Sequence, residues 1–169
     1  MINIVLYEPE IPENTGNIMR TCVATNSKLH LIEPLGFIFD EKRLKRSGAN
    51  YIDKVKYERY IDFNEFLEKN KGDFYFFTRY GNKCYSEIDF SDTKNNIYLI
   101  FGKESTGIPK ELLHNNLDNC YRIPTSDNVR ALNLSNCVAL VLYEVLRQQN
   151  YLDLCTSEPH KGEDWIEID

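Results

Sequence analysis

Short, predominantly apolar segments that alternate with amphipathic helical patterns constrain the fold of this chain more than any other feature. Residues 2–7 (INIVLY) and 96–102 (NIYLIFG) are rich in β-branched and aromatic side chains, as in strands buried on both faces. Residues 61–70 (IDFNEFLEKN), between them, repeat apolar side chains at helical spacing. This alternation predicts an α/β fold with a mostly parallel sheet and helices on both faces.

Weaker patterns predict the remaining strands and one short helix. Further strands are expected over residues 29–34, 55–60, 73–80 and 119–124, each apolar or aromatic and bounded by turn-forming residues. A short basic helix is expected over residues 39–48, which end in a glycine.

Two amphipathic helices flank these strands. The first follows the first strand and is capped by Asn14 or Thr15. Its apolar stripe consists of Ile18, Met19, Cys22 and Val23. The last and longest helix covers residues 132–150. Its apolar face consists of Leu134, Val138, Val141, Leu142 and Val145.

The length and composition of the chain indicate one globular domain. A chain of 169 residues with 42% hydrophobic side chains can bury one full core but is short for two. We therefore expect one domain over residues 1–150 and an acidic tail over residues 151–169. No segment approaches the roughly 20 apolar residues that cross a bilayer, so we expect a soluble, cytoplasmic protein with no membrane partner.

The cysteine and histidine residues do not indicate a metal site. The five cysteines show no CxxC spacing, and their odd number argues against a disulfide framework. The histidines, His30, His114 and His160, are scattered singly, and each is interpreted as a surface or hydrogen-bonded residue. The sequence therefore predicts no bound metal.

Net charge argues against nucleic-acid binding by bulk electrostatics, because the chain has a formal charge of −6 and a pI near 5.2. Basic residues are nevertheless concentrated in residues 41–48, which contain Lys42, Arg43, Lys45 and Arg46. This cluster is either a local phosphate-binding face or a solvated helix face without a partner, and the charge pattern favours neither.

Three polar loops follow predicted strands, at the sheet edge where parallel sheets bind ligands. In the first loop, residues 8–22, Gly16 lies at a helix start whose free N–H groups can hold an anion. Arg20 lies one helical turn further on, on the same face, from which it can point back into the ligand crevice. The alternative is a plain cap at Asn14 and a surface cation at Arg20. A GxGxxG pattern is absent, which disfavours a dinucleotide-binding oxidoreductase.

The second loop, residues 100–112, places Gly102 and Gly107 after a buried strand, where glycine lets a ligand approach the main chain. Its GKES is not a P-loop, because the upstream glycine is missing and Glu104 replaces Ser or Thr. Glu104 can serve as an acid, a base or a hydrogen-bond acceptor, or it can cap a helix or pair with a lysine.

The third loop, residues 122–136, is polar and carries Asn133, Ser135 and Asn136 at the entrance of the last helix. Helix capping alone accounts for these residues. Taken in order, however, IPENTGNIMR, LIFGKESTGIP and RIPTSDNVRALNLSN resemble the three motifs of the SpoU branch of SPOUT RNA methyltransferases. Residues 1–150 also resemble the tRNA (cytidine/uridine-34)-2′-O-methyltransferase subfamily called TrmL or YibK, with LHLIEPLGF, DEKRLKRSGANY and ALNLSNCVALVLYEVLRQ among the matching segments.

The resemblance implies a fold whose carboxyl-terminal segment forms a deep trefoil knot, an exception to the rule that chains stay unknotted. It implies that S-adenosyl-L-methionine (SAM) binds in the knot and that two copies of the chain form a homodimer through their first and last helices. The residues implied to contact SAM are Thr78, Gly102, Ile123, Ala131 and Leu132.

The implied reaction is transfer of the SAM methyl group to the ribose 2′-hydroxyl of the wobble nucleotide of tRNA, cytidine or a modified uridine at position 34, leaving S-adenosyl-L-homocysteine. Leucine tRNAs are the implied substrates, and the protein is expected to hold them by the anticodon stem-loop. DNA is not an expected partner. Arg20 matches the family's arginine and is expected to position the hydroxyl, since a guanidinium is a poor base. The other polar positions that match the motifs are Asn14, Glu104, Asn133 and Ser135.

The sequence departs from the family pattern at Lys103, which replaces a proline, and at Ala131, which replaces a serine. We expect the lost hydroxyl to remove a hydrogen bond to the cofactor or the substrate, worth about 1 kcal/mol. The residues expected to contact RNA phosphates are Lys42, Arg43, Lys45, Arg46, Lys103 and Arg130.

Two other functions remain open from the sequence. The first is a non-catalytic RNA-binding or ribosome-assembly module that keeps the fold and the SAM pocket. The second is a SAM-dependent methyltransferase that acts on a protein, a small molecule or an RNA base nitrogen.

Overall fold

The computed structural model describes residues 1–40 and 51–161. The predicted helix over residues 39–48 and the basic cluster from Lys42 to Arg46 lie largely or wholly outside these residues. The strands are β1 (Ile2–Tyr7), β2 (Lys28–Ile32), β3 (Tyr57–Tyr60), β4 (Asp73–Phe77), β5 (Lys83–Cys84), β6 (Ile97–Phe101) and β7 (Cys120–Arg122). The helices in the described ranges are α1 (Pro12–Ala24), α2 (Phe63–Lys69), α3 (Lys110–His114) and α4 (Leu134–Gln148).

These strands form one sheet in the order β3-β2-β1-β6-β4-β7-β5, and every pair of neighbours is parallel. The predicted parallel α/β fold is therefore confirmed. Strand β5 was not expected, because two residues are too few to show a period. Because the strands are parallel, the loops that follow β1, β4, β6 and β7 all lie at the same edge of the sheet.

Each face of the sheet carries its own apolar core. Along β1, Ile4 and Leu6 pack on the side of α1 and α4, whereas Val5 packs on the side of α2 and α3. Residues Phe63 and Phe66 of α2 fill the second core. This alternation along β1 is the two-residue period of a strand that is buried on both faces, and it confirms helices on both sides.

The two long helices share the first core. The predicted stripe of α4 is confirmed, since Val138, Val141, Leu142 and Val145 are fully buried. The predicted cap of α1 is wrong: the helix begins at Pro12, and Asn14 and Thr15 are buried within it. Proline at the first helical position has a pre-set φ and lacks the N–H that would need a partner, so the helix begins two residues earlier than a side-chain cap at Asn14 requires.

The chain after α4 turns back towards the end of α1. Asn26 Nδ2 donates a hydrogen bond to the Asp153 carbonyl oxygen at 3.2 Å, and Leu154 packs partly buried against the first core. The boundary between domain and tail at residue 150 stays a prediction. Within the ranges that the structure describes, no helix is long and apolar enough to cross a membrane.

The second face buries a polar network around His30, which is fully buried. The Tyr60 hydroxyl lies 2.8 Å from His30 Nδ1, and Asn3 Oδ1 lies 3.1 Å from Nε2. Because the Asn3 amide nitrogen donates to the Met1 and Ile97 carbonyls, its oxygen faces the ring and Nε2 carries the proton. Burial lowers the pKa of His30 to about 4. The interpretation of His30 as a hydrogen-bonded residue is confirmed.

No group of three His, Cys, Asp or Glu side chains within residues 1–40 and 51–161 is arranged to share a metal ion. All five cysteines are free thiols in the structure.

Candidate active site

A cavity of about 490 Å³ opens at the carboxyl ends of β4, β6 and β7. This volume is in the range of small-molecule sites, roughly 300–1,000 Å³. Apolar residues of all three motif loops line it, among them Ile11 of the first loop, Phe101 of the second and Ile123 of the third. The five residues expected to contact SAM all line it: Thr78, Gly102, Ile123, Ala131 and Leu132. The fold thus brings together residues that lie up to 54 positions apart in the sequence.

Two glycines let the main chain fold tightly at the floor of this cavity. A Cβ atom at Gly102 would lie 2.1 Å from the Gly107 carbonyl carbon, a distance that no side chain tolerates. Gly107 has a φ of +77°, in the left-handed region, and its N–H donates to the Lys103 carbonyl oxygen at 2.9 Å. The loop after β6 is therefore closed on itself, and its main chain is exposed to a ligand in the cavity.

A chain of hydrogen bonds joins the three loops. Asn14 Nδ2 donates to Glu104 Oε1 at 2.9 Å, and Asn133 Nδ2 donates to Asn14 Oδ1 at 3.0 Å. Asn133 Oδ1 in turn accepts from the N–H and the hydroxyl of Ser135 at 2.9 and 2.7 Å. Four of the five predicted catalytic residues therefore form one connected network, which fixes the three loops relative to one another.

Glu104 binds the main chain just before helix α1 from a distant part of the chain. Its carboxylate accepts the main-chain N–H groups of Glu10 at 2.8 Å and Ile11 at 3.3 Å, just before the helix begins at Pro12. These N–H groups precede the helix, so Glu104 does not cap its first turn, although a carboxylate near a helix amino terminus is favoured by the helix dipole. Of the roles left open from the sequence, the structure shows the hydrogen-bond acceptor, since the carboxylate accepts from Glu10, Ile11 and Asn14.

Arg20, the fifth predicted catalytic residue, is not brought to this cavity. It lies on the exposed side of α1, with its guanidinium carbon 5.9 Å from the centroid of the Tyr51 ring. The Tyr51 hydroxyl donates to the Gly16 carbonyl oxygen at 3.1 Å. The expectation that Arg20 points into the crevice of its own chain therefore fails, although its catalytic role stays a prediction.

The predicted RNA contacts divide into three groups. Arg130 is exposed and lines the cavity. Lys103 also lines the cavity, but its Nζ pairs with Glu8 Oε2 at 2.6 Å, and this hydrogen bond raises the pKa of Lys103. Lys42, Arg43, Lys45 and Arg46 lie outside the described residues.

Among the cavity residues that were not predicted from the sequence are Arg79, Tyr80 and Arg122. They follow β4 and end β7, so the rule that ligands bind at the carboxyl ends of parallel strands pointed to them. Glu10 was also missed. Its carboxylate accepts from the hydroxyl and the N–H of Ser105 at 2.8 and 2.9 Å, and these hydrogen bonds lower the pKa of Glu10.

Comparison with known proteins agrees with this arrangement. The family model described as SpoU rRNA Methylase matches residues 1–143, which contain all three loops. The chain belongs to the SpoU methylase family. The tRNA (cytidine(34)-2′-O)-methyltransferase of Escherichia coli K12 is 43% identical over 153 residues, covering 89% of this chain and 96% of that protein.

Solved structures of this kind are similar over most of the chain. A Bacillus anthracis protein described as a candidate RNA methyltransferase is 50% identical with a TM-score of 0.89, covering 91% of this chain and 98% of that one. A structure concerned with 2′-hydroxyl methylation of C/U34 on tRNA is 38% identical with a TM-score of 0.80, covering 89% and 97%. The SpoU methyltransferase AviRb from Streptomyces viridochromogenes, in complex with AdoMet, shares the fold at 19% identity and a TM-score of 0.73, covering 88% of this chain and 57% of AviRb.

Proposed function

We propose that this SpoU methylase transfers a methyl group from SAM to the ribose 2′-hydroxyl of nucleotide 34 of tRNA, a cytidine or a modified uridine. The observation that carries the proposal is the hydrogen-bond chain from Glu104 through Asn14 to Asn133, which joins the three motif loops around one cavity. The E. coli relative named for this activity and the structure of C/U34 methylation support the position and the chemistry.

The cavity fits SAM in size and in chemistry. Apolar side chains such as Phe101 and Ile123 suit an adenine ring, and the exposed main chain around Gly102 and Gly107 suits its polar edge. AviRb, which shares the fold, binds AdoMet.

Bound SAM supplies an electrophilic methyl group that can pass to an oxygen nucleophile without a covalent enzyme intermediate. The residues of the chain then have two tasks, to hold the ribose in line with the methyl group and to accept or relay the proton that the hydroxyl loses. The network of Glu104, Asn14 and Asn133 performs the first task indirectly, by fixing the loops that form the cavity. It acts through position rather than by contact with the reacting atoms.

Arg20 is assigned to the substrate ribose and its neighbouring phosphate. Arg20 is exposed and lies outside the cavity of its own chain. It can reach a bound ribose in a homodimer in which α1 of one subunit borders the cavity of the other. Exposed apolar residues on α4, Leu140 at 44% and Tyr143 at 47%, support a partner on the helical face. The homodimer therefore belongs to the same proposal as the catalytic role of Arg20.

Leucine tRNAs as substrates, the deep trefoil knot and a cytoplasmic location complete the proposal as the family resemblance implies them. The knot is supported by the likeness of the fold to solved SpoU methyltransferases.

The test is to incubate the purified protein with labelled SAM and bulk tRNA that lacks wobble ribose methylation, and then to identify the labelled nucleoside. Label in 2′-O-methylcytidine or a 2′-O-methyluridine derivative, lost in Arg20→Ala, is the expected result. Label in a methylated base would indicate a base methyltransferase. SAM binding without any transfer would indicate a non-catalytic RNA-binding module.

A further inference from the structure

Three arginines stand together at the mouth of the cavity. Arg79 follows β4, Arg122 ends β7 and Arg130 precedes α4, and all three are exposed. They line an open depression that shares these side chains with the cavity and continues beyond it to Ser126 and Val129. The depression therefore leads directly from the surface to the place assigned to the methyl donor.

The backbone holds two of these arginines side by side. The Thr78 N–H donates to the Tyr121 carbonyl oxygen at 2.9 Å, and the Gly81 N–H donates to the Thr78 carbonyl oxygen at 3.1 Å. A Cβ atom at Gly81 would lie 2.5 Å from the Tyr121 carbonyl carbon, so the turn over residues 78–81 is pressed against β7. Arg122 is thus presented from the end of β7, and Arg79 from a turn that is held against that strand.

The positive charge of the depression is largely uncompensated. Within residues 1–40 and 51–161, none of the three arginines forms a salt bridge with a carboxylate, and Asp127 is the acidic residue that lines the depression. Arg79 lies over the Tyr80 ring at 4.7 Å from its centroid and donates a hydrogen bond to its hydroxyl. This hydrogen bond and the nearby charges of Arg79 and Arg130 lower the pKa of Tyr80.

We infer that Arg79, Arg122 and Arg130 bind backbone phosphates of the RNA strand next to the ribose that is methylated, with Tyr80 positioning Arg79. A guanidinium recognises a phosphate through two parallel hydrogen bonds, and successive phosphates of a strand need several such groups. The methionine carboxylate of SAM is the other anion that these arginines could bind, but it carries one negative charge and does not account for three arginines. Because the chain carries a formal charge of −6, RNA needs a local positive site of this kind to approach the cavity.

This inference rests on the proposed function but has a separate readout. Variants Arg79→Gln, Arg122→Gln and the double variant are compared with Lys94→Gln, which removes one positive charge before β6, at the opposite edge of the sheet. Affinity for tRNA is measured by fluorescence anisotropy over a series of salt concentrations. Affinity for SAM is measured by calorimetry, and thermal unfolding confirms that each variant is folded.

Each arginine variant is expected to bind tRNA roughly tenfold more weakly. The slope of log affinity against log salt should become shallower by about 0.7 to 0.9 for each arginine removed. Affinity for SAM and the behaviour of Lys94→Gln should stay within twofold of wild type. Asp127→Asn should have the opposite effect and bind tRNA roughly threefold more tightly.

Unchanged tRNA affinity and salt slope in the double variant would overturn the inference. A loss of SAM affinity with unchanged tRNA affinity would also overturn it and assign the arginines to the cofactor carboxylate. Methylation by the wild-type protein is measured in the same series, so a failure of the proposed function appears as no transfer by the wild type, whatever the arginine variants do.

Discussion

Asn14 and Asn133 are 119 positions apart in the sequence, yet their side-chain amides are hydrogen bonded at 3.0 Å. Asn14 is 5% exposed and lies inside α1, whereas Asn133 is the cap of α4. The bond ties the starts of the two long helices together beside the cavity. The loops of the site are therefore held by partly buried polar contacts as well as by the strands that precede them.

Replacing Asn14 by aspartate should break this arrangement. The new carboxylate cannot donate to Glu104 and would face it as a like charge, at a site where the amide donates at 2.9 Å. We expect a loss of about 2–3 kcal/mol in the free energy of unfolding and at least a tenfold loss of methyl transfer. Urea unfolding and a transfer assay measure the two effects. Asn17→Asp, an exposed substitution on the same helix, should be nearly neutral in stability, and equal losses in both variants would contradict the account.

Glu104→Gln tests the hydrogen bonds that run from the second loop to the first. The substituted amide presents an N–H₂ group to donors that bind a carboxylate in the wild type, so at least one of three hydrogen bonds must be lost. The unfolding free energy should fall by about 1–3 kcal/mol. Glu13→Gln, in the first turn of the same helix and exposed, removes a charge without these contacts and should cost less than about 1 kcal/mol. Similar costs in the two variants would show that Glu104 acts only through its charge.

His30 should make the stability depend on pH. Its folded pKa of about 4 lies below the ordinary value of 6.5, so the unfolded chain binds this proton first as the pH falls. The stability from a neutral His30 is complete above pH 6.5 and is lost between there and about pH 4, by up to about 1.4 kcal/mol per pH unit. Urea unfolding from pH 7.5 to 4.5 should show a steeper decline for wild type than for His30→Gln.

Two checks keep this pH prediction specific to His30. Lys28 and Glu58 act on His30 in opposite senses, and both are present in the wild type and in His30→Gln, so the difference between the two proteins isolates the imidazole. His114→Gln, at an exposed position, should keep the wild-type slope. A histidine resonance of His30 that titrates near pH 6.5 in NMR spectra would contradict the buried network.

Gly102→Ala should damage the cavity directly. An added Cβ would lie 2.1 Å from the Gly107 carbonyl carbon, so the loop after β6 must open. We expect SAM affinity to fall at least tenfold in calorimetry, with a clear loss of thermal stability. Gly16→Ala provides the contrast in stability, because its Cβ meets nothing within 4 Å and alanine favours a helix by about 0.5–1 kcal/mol. Normal SAM binding by Gly102→Ala would place the cofactor elsewhere.

The parts of the fold that repeat a simple pattern were predictable from the sequence. Strand β1 and helix α4 bury apolar residues at their own periods, and both were found where expected. The start of α1 was not predictable, because the carboxylate that holds the preceding main chain belongs to Glu104, about 90 residues away, and no local pattern encodes it. A local side-chain cap was inferred where the helix begins at Pro12 without one.

The site shows the same division. Glycines and asparagines of the three motifs could be selected from their order along the chain, and the structure brings them together. Arg79 lies outside the three motifs and Arg122 only begins the third, and the two become notable together because β4 and β7 are neighbours in the sheet. Arg20 was expected in the cavity from helix spacing alone, but spacing fixes a face of α1 and not what that face meets.

The central claim, methyl transfer to the ribose at position 34, is tested most directly with two synthetic substrates. One is a leucine tRNA, and the other is the same tRNA with a single 2′-deoxyribose at position 34. The account predicts transfer of one labelled methyl group to the first tRNA and none to the second, with both tRNAs bound equally well. Equal transfer to both tRNAs would contradict it, since the accepting atom would then be another hydroxyl or a base.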